Sequence, residues 1–151
     1  MLNVVLYEPE IPPNTGTIGR LCHSAGIRLH LIEPLGFSID DRSLKRAGLD
    51  YWQDLDPKIW PSLESCLEAA ATGNSVHYLT TKTDRAYWDA EFRADDYLVF
   101  GPETRGLPES LLERFANQSL TIPQERGRSL NLAVSVGIVA YEAIRQIQSR
   151  S

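Results

Sequence analysis

Apolar residues in this chain gather into short, nearly unbroken runs: LNVVLY (Leu2 to Tyr7), RLHLI (Arg28 to Ile32), SVHYLT (Ser75 to Thr80) and YLVF (Tyr97 to Phe100). Runs of this length without in-and-out alternation predict strands buried on both faces, as in a parallel sheet. Helical spacing fills the intervals. One helix is expected from Thr15 to Ala25, with Asn14 at its N-cap position and Gly26 closing it, and the prolines of EPEIPPNTG are expected to keep the preceding segment out of helix. A short helix behind Asp40 and Asp41 carries Lys45 and Arg46 toward its end, which suits the helix dipole. Further helices are predicted over Pro61 to Ala71, Pro108 to Ala116 and Leu130 to Gln148, the last apolar nearly all round as far as Val139. Asp84 to Asp96 reads as loop or short helix, and Leu120 to Ile122 as a last short strand. This βαβ rhythm predicts an α/β fold, a mostly parallel sheet with helices on both faces.

Composition narrows the reading only a little. A chain of 151 residues suits one domain, and 42% hydrophobic with 23% charged residues is ordinary for a globular protein. The net charge of −5 argues against coating nucleic acid by bulk charge, yet leaves room for a local basic patch. Cys22 and Cys66, the two cysteines, fall inside predicted helices and read as reduced core thiols; the three histidines show no metal-ligand spacing, so no metal is expected. With no leader-like start and no apolar run approaching the ~20 residues a bilayer needs, a cytoplasmic protein is expected.

The chemistry concentrates where strands end. YLVF runs into GPETRGLP, a loop broken by Gly101, Pro102, Gly106 and Pro108, and ligands of open α/β sheets sit beyond the carboxyl ends of strands. Glu103, Thr104 and Arg105 therefore stand where a small molecule would dock, and Leu79, Thr80 and Thr81 end another strand at the same crevice. Arg20 lies among small and apolar helical residues about one and a half turns beyond the proline loop, as a functional cation or a solvated one. Arg42, Lys45 and Arg46 are the densest basic cluster; with Tyr51 and Trp52 they either meet RNA phosphates and bases or form a solvated face. Ser129 and Asn131 are placed to cap the last helix, where Ala133, Ser135, Gly137 and Ala140 would admit a second backbone, as in a homodimer. No GxxxxGK[ST] run suggests a nucleoside triphosphate.

Three stretches together, PPNTGTIGR, LVFGPETRGLP and IPQERGRSLNLAVSVGIVAYE, resemble the SPOUT superfamily of RNA methyltransferases over essentially the whole chain. LNVVLYEPEIPPNTG and DDRSLKRAGLDYW are most similar to its minimal tRNA (cytidine/uridine-2′-O-)-methyltransferases that modify the wobble nucleotide, the TrmL group. The resemblance implies a deep C-terminal trefoil knot, a homodimer with sites completed across the interface, and S-adenosylmethionine as methyl donor without a metal. It implies tRNA as substrate, leucine tRNAs among them, and a cofactor held by Leu79, Thr80, Gly101, Glu103, Gly106, Ile122, Ser129 and Leu130. It further implies Arg20 acting on the ribose 2′-OH with Asn14 and Glu103, and Asn131 at the substrate ribose; RNA contacts from Arg42, Lys45 and Arg46 are expected from their charge alone. One departure stands out: where the nearest relatives continue SLNLSNA, this chain reads SLNLAVS, which bears on substrate choice. Methylation of another tRNA or rRNA position, and a non-catalytic knotted RNA-binding protein, are the alternatives.

Overall fold

A computed structural model describes residues 1–48, 51–127 and 129–151. Leu49 and Asp50, in the DDRSLKRAGLDYW stretch, and Arg128, in the IPQERGRSLNLAVSVGIVAYE stretch, lie outside the described residues. Six strands form one sheet: β1 (Asn3–Tyr7), β2 (Arg28–Ile32), β3 (Lys58–Trp60), β4 (Val76–Leu79), β5 (Tyr97–Phe100) and β6 (Ser119–Leu120), in the order β3-β2-β1-β5-β4-β6. Every pairing is parallel, and the central register sets Val4 between Leu29 and Leu98. The helices are α1 (Pro12–Ala25), α2 (Arg42–Gly48), α3 (Tyr51–Leu55), α4 (Leu63–Glu68), α5 (Glu109–Arg114) and α6 (Leu132–Arg150).

The unbroken apolar runs are explained by two cores. Val4, Leu6, Leu29, Leu31, Leu98 and Phe100 point to one face, against Ile18 of α1, Leu44 of α2, Trp52 of α3 and Val136 and Val139 of α6. Val5, Ile32, Tyr78, Tyr97 and Val99 point to the other, against Leu63 and Cys66 of α4 and Leu107, Leu111 and Leu112 around α5. Both faces are covered, so neither parity of side chain is exposed and no alternation is selected. Cys22 and Cys66 are free and buried, as expected, and burial pushes both thiols up to about 12.

Several boundaries differ from the sequence reading. Helix α1 begins at Pro12 rather than Thr15, because prolines at the first two helical positions lack only amide hydrogens that would have had no intrahelical partner. Asn14 is therefore inside the helix and is not its N-cap; Ile11 holds that position with no side-chain cap of its own. Strand β3 was not anticipated, being three residues at the sheet edge. Helix α4 is shorter than expected and capped by Ser62, which accepts from the Ser65 amide at 3.1 Å. Close backbone approach belongs to α1: a Cβ on Gly16 would lie 2.2 Å from the Leu44 carbonyl oxygen, and one on Gly19 2.6 Å from the Trp52 ring. A Cβ on Gly137 of α6 would lie at an ordinary 3.9 Å from Leu21, with no closer contact among the described residues.

Two buried polar groups lock the strands. Asp96, ahead of β5, accepts from the Ser75 amide at 3.0 Å, the Arg93 amide at 2.9 Å and His77 Nε2 at 2.9 Å. Burial acts to raise its carboxyl, but these hydrogen bonds outweigh that and hold it below the usual carboxylate range. His30 Nδ1 accepts from the Trp60 indole at 3.0 Å, so His30 is neutral with its proton on Nε2, which donates to Asn3 Oδ1 at 2.9 Å. Burial, then the nearby Lys58 and Arg28 charges, lower its pKa to about 4.

A depressed histidine favours the fold above its unfolded pKa of ~6.5, and that contribution is lost as pH falls toward the folded value. Denaturant titrations are expected to show stability falling by up to about 3 kcal/mol between pH 6.5 and pH 4 on this account. His30→Gln, which keeps an acceptor for Trp60, should flatten that segment; an unchanged profile would exclude His30 as its source.

Candidate active site

A cleft of about 480 Å³ opens at the carboxyl ends of β4, β5 and β6, against the N-terminus of α6. Its centre is the loop that follows β5. Gly101 starts it so tightly that a Cβ there would lie 2.4 Å from the Leu107 amide nitrogen, and Gly106 turns it at φ +70. These are positions where the loop doubles back on itself: only glycine fits the space at the first, and a residue with a Cβ would be strained in the left-handed backbone at the second.

Glu103, at the tip of that loop, reaches the start of α1. Its Oε1 accepts from the Glu10 amide at 3.0 Å, and its Oε2 from the Ile11 amide at 2.7 Å and from Asn14 Nδ2 at 3.4 Å. The missing side-chain cap of α1 is thus supplied from across the sheet by a carboxylate whose charge also suits the positive end of the helix. Asn14 continues the line: its Oδ1 accepts from Asn131 Nδ2 at 3.1 Å, and Asn131 Oδ1 accepts from the Val134 amide at 3.2 Å, capping α6. Because that amide can only donate, Asn131 must turn its Nδ2 to Asn14, and Asn14 its Nδ2 to Glu103; every orientation follows. The three separated stretches PPNTG, GPETRG and SLNLAVS meet through this relay.

The loop tip is held twice more. Thr104 donates its amide to Glu10 Oε1 at 2.9 Å and its hydroxyl to the same carboxylate at 2.8 Å, and Arg105 pairs with Glu8 at 2.9 Å. The Thr104 amide first, then its hydroxyl, hold the Glu10 carboxyl below its ordinary range.

Asn14, Leu79, Thr80, Gly101, Glu103, Gly106, Ile122, Ser129, Leu130 and Asn131 all line the cleft. Arg20, Arg42, Lys45 and Arg46 do not. Arg20 is exposed on α1, on the outward row that includes Thr17 and Ser24, and the other three are exposed on α2, Lys45 lying 3.5 Å from Asp40. Trp52, expected beside them as an RNA contact, is instead buried against Gly19, because the absent side chain there leaves a slot for its ring. Tyr51 remains half outside and stacks on His23 at 4.7 Å. The sequence reading missed Ile11, Lys82 and Ser135 in the lining. Ser135 was discernible, being one helical turn after Asn131 on the same face. The AVS departure therefore sets Val134 outward, 51% exposed, and returns a hydroxyl to the cleft at Ser135.

The model of the SpoU rRNA Methylase family matches residues 1–141. A tRNA (cytidine(34)-2'-O)-methyltransferase of Aeromonas hydrophila is 52% identical over 149 residues, spanning 97% of this chain and 95% of its own length. A solved structure bearing on the 2-OH methylation of C/U34 on tRNA is 49% identical with a TM-score of 0.93, covering 99% of this chain and 97% of the other. The SpoU methyltransferase AviRb of Streptomyces viridochromogenes, in complex with AdoMet, is 25% identical with a TM-score of 0.85, covering 97% of this chain and 60% of its own.

If Glu103 is the cap of α1, Glu103→Ala should cost about 1–3 kcal/mol in urea unfolding and speed hydrogen exchange at the Ile11 amide, with Glu103→Gln in between. Unchanged exchange at Ile11 would show that the carboxylate does not hold the helix.

Proposed function

The chain belongs to the SpoU methylase family, and on that premise we propose that it transfers a methyl group from S-adenosylmethionine to the ribose 2′-OH of the wobble nucleotide, cytidine or uridine 34, of tRNA. The observation that carries this reading is the Glu103–Asn14–Asn131 relay, which binds the proline loop, the β5 loop and the start of α6 into one cleft wall. The cleft fits the donor: its volume is in the range of small-molecule sites, and strand-end backbone together with Leu79, Ile122 and Leu130 offers polar edges on apolar walls. Gly101 and Gly106 shape its cradle where no larger residue fits without strain. The donor supplies an electrophilic methyl on a sulfonium, so the protein's task is alignment of the hydroxyl, exclusion of water and stabilisation of the charge that develops on oxygen.

Arg20 is the residue we assign to that oxygen. A planar cation with several N–H donors is suited to stabilise a developing alkoxide. It does not line the cleft of its own chain, so the reading requires a homodimer in which a second copy brings it in. Val134 and Tyr141, each 51% exposed on α6, are apolar area such a dimer would cover. The same reading makes the chain a single cytoplasmic domain with a trefoil knot. Its support is the chain course: β6 lies at the outer edge beside β4, whereas α6 packs back against α1 and β5. The stretch between them passes the 101–107 loop at the cleft.

Nucleoside mass spectrometry of tRNA from a deletion strain, leucine isoacceptors first, should find the wobble 2′-O-methyl group missing and restored by the wild-type gene. Its persistence would overturn the substrate assignment. Arg20→Ala should lower turnover by at least about a hundredfold while leaving S-adenosylhomocysteine affinity and the dimer intact; wild-type turnover would remove Arg20 from the mechanism.

We assign Arg42, Lys45 and Arg46 to tRNA phosphates. Replacing each by Ala should weaken tRNA binding and reduce the slope of log affinity against log salt by about one per lost contact, with cofactor affinity unchanged. An unaltered salt slope would return the cluster to a solvated face.

A further inference from the structure

We infer that Glu10 is a positioning residue for the methyl donor: it holds the β5 loop in the shape that cradles the donor, acting through the amide and hydroxyl of Thr104. The inference rests on the methyltransferase reading and concerns a residue outside the cleft lining. Among the described residues, the 101–107 loop has one backbone hydrogen bond of its own, Gly106 amide to Pro102 carbonyl at 3.0 Å, so its tip needs external support. Thr104 is exposed, yet it directs both of its donors to a single carboxylate, with the hydroxyl 2.8 and 3.0 Å from the two oxygens of Glu10.

Glu10 is itself fixed from two sides. Glu103 accepts its amide at 3.0 Å, and on the opposite side a Cβ on Gly36 would lie 2.9 Å from Glu10 Cα, with the Gly36 amide bonded to the Pro9 carbonyl at 2.9 Å. The two loops therefore exchange carboxylates: Glu103 takes amides of the β1 loop while Glu10 takes the amide of the β5 loop. Glu8 adds a third hold on Arg105 from a left-handed backbone at φ 47, a conformation that disfavours every residue with a Cβ. A loop fixed at Glu103 alone would still pivot about that residue. The bond at Thr104 removes the pivot and sets where the backbone between Gly101 and Gly106 faces the cleft.

Calorimetry with S-adenosylhomocysteine on the full-length protein tests this, together with KM for S-adenosylmethionine and for tRNA. Glu10→Ala should weaken S-adenosylhomocysteine about tenfold and raise KM for the donor in parallel, with KM for tRNA unchanged. Glu10→Gln should restore near-wild-type affinity, because its amide still accepts from the Thr104 N–H and pairs with the hydroxyl. Wild-type affinity in Glu10→Ala would overturn the inference, as would equal weakening in both variants or a matching rise in KM for tRNA. Should Glu10→Ala not fold, Thr104→Val serves instead: about threefold weaker binding is expected, and no change overturns the inference. Failure of the wild type itself to bind S-adenosylhomocysteine would overturn the methyltransferase reading along with it.

Discussion

The Glu103 carboxylate at the start of α1 is the contact on which the arrangement of this molecule depends. A helix opening Ile-Pro-Pro has no side-chain cap, and its first prolines cannot donate, so the amides of Glu10 and Ile11 look outward for an acceptor. Glu103 meets both from a loop more than ninety residues later in the chain. Charge-assisted bonds to backbone amides at a helix N-terminus are among the stronger polar contacts a protein surface offers. Once they form, the end of β1 and the end of β5 are fixed to each other, and Asn14 lies within reach of Asn131.

That contact is possible because of the sheet beneath it. Strands β1 and β5 are adjacent and parallel in register, so the loops after Tyr7 and Phe100 leave the sheet at the same end and the same height. Two apolar layers clamp the strands from both faces, which gives the loops a rigid base while their tips remain polar. The buried Asp96 and His30 clusters add polar locks within this frame. The chemistry is therefore carried by loops whose geometry is set by hydrogen bonds between them, on a scaffold set by burial.

Charge follows the same division. The chain is acidic in sum, yet the carboxylates of Glu103, Glu10 and Glu8 are each bonded across the β1 and β5 loops, to amides, a threonine and an arginine. Arg20 and the α2 cations are exposed, and α1 packs on both α2 and α6.

Residue order alone determined the parallel sheet, because strands buried on both faces demand unbroken apolar runs, and LNVVLY, RLHLI and YLVF can serve no other layer. It also marked the β5 loop, since Gly101 and Gly106 interrupt regular structure there, and set Leu79 at the crevice as a strand end, whereas Ile122, Ser129 and Leu130 followed from the family resemblance. Local pattern misjudged Asn14, Trp52 and β3. Asn14 is a good N-cap by composition, but the prolines moved the helix start and a distant carboxylate took over the capping; Trp52 seemed free for RNA until the gap at Gly19 accepted it; and β3 is too short to carry periodicity. The Glu10–Thr104 and Glu103–Ile11 exchanges were decided only in three dimensions, because hydrogen bonds between residues ninety positions apart depend on strand order and register, which no local spacing encodes.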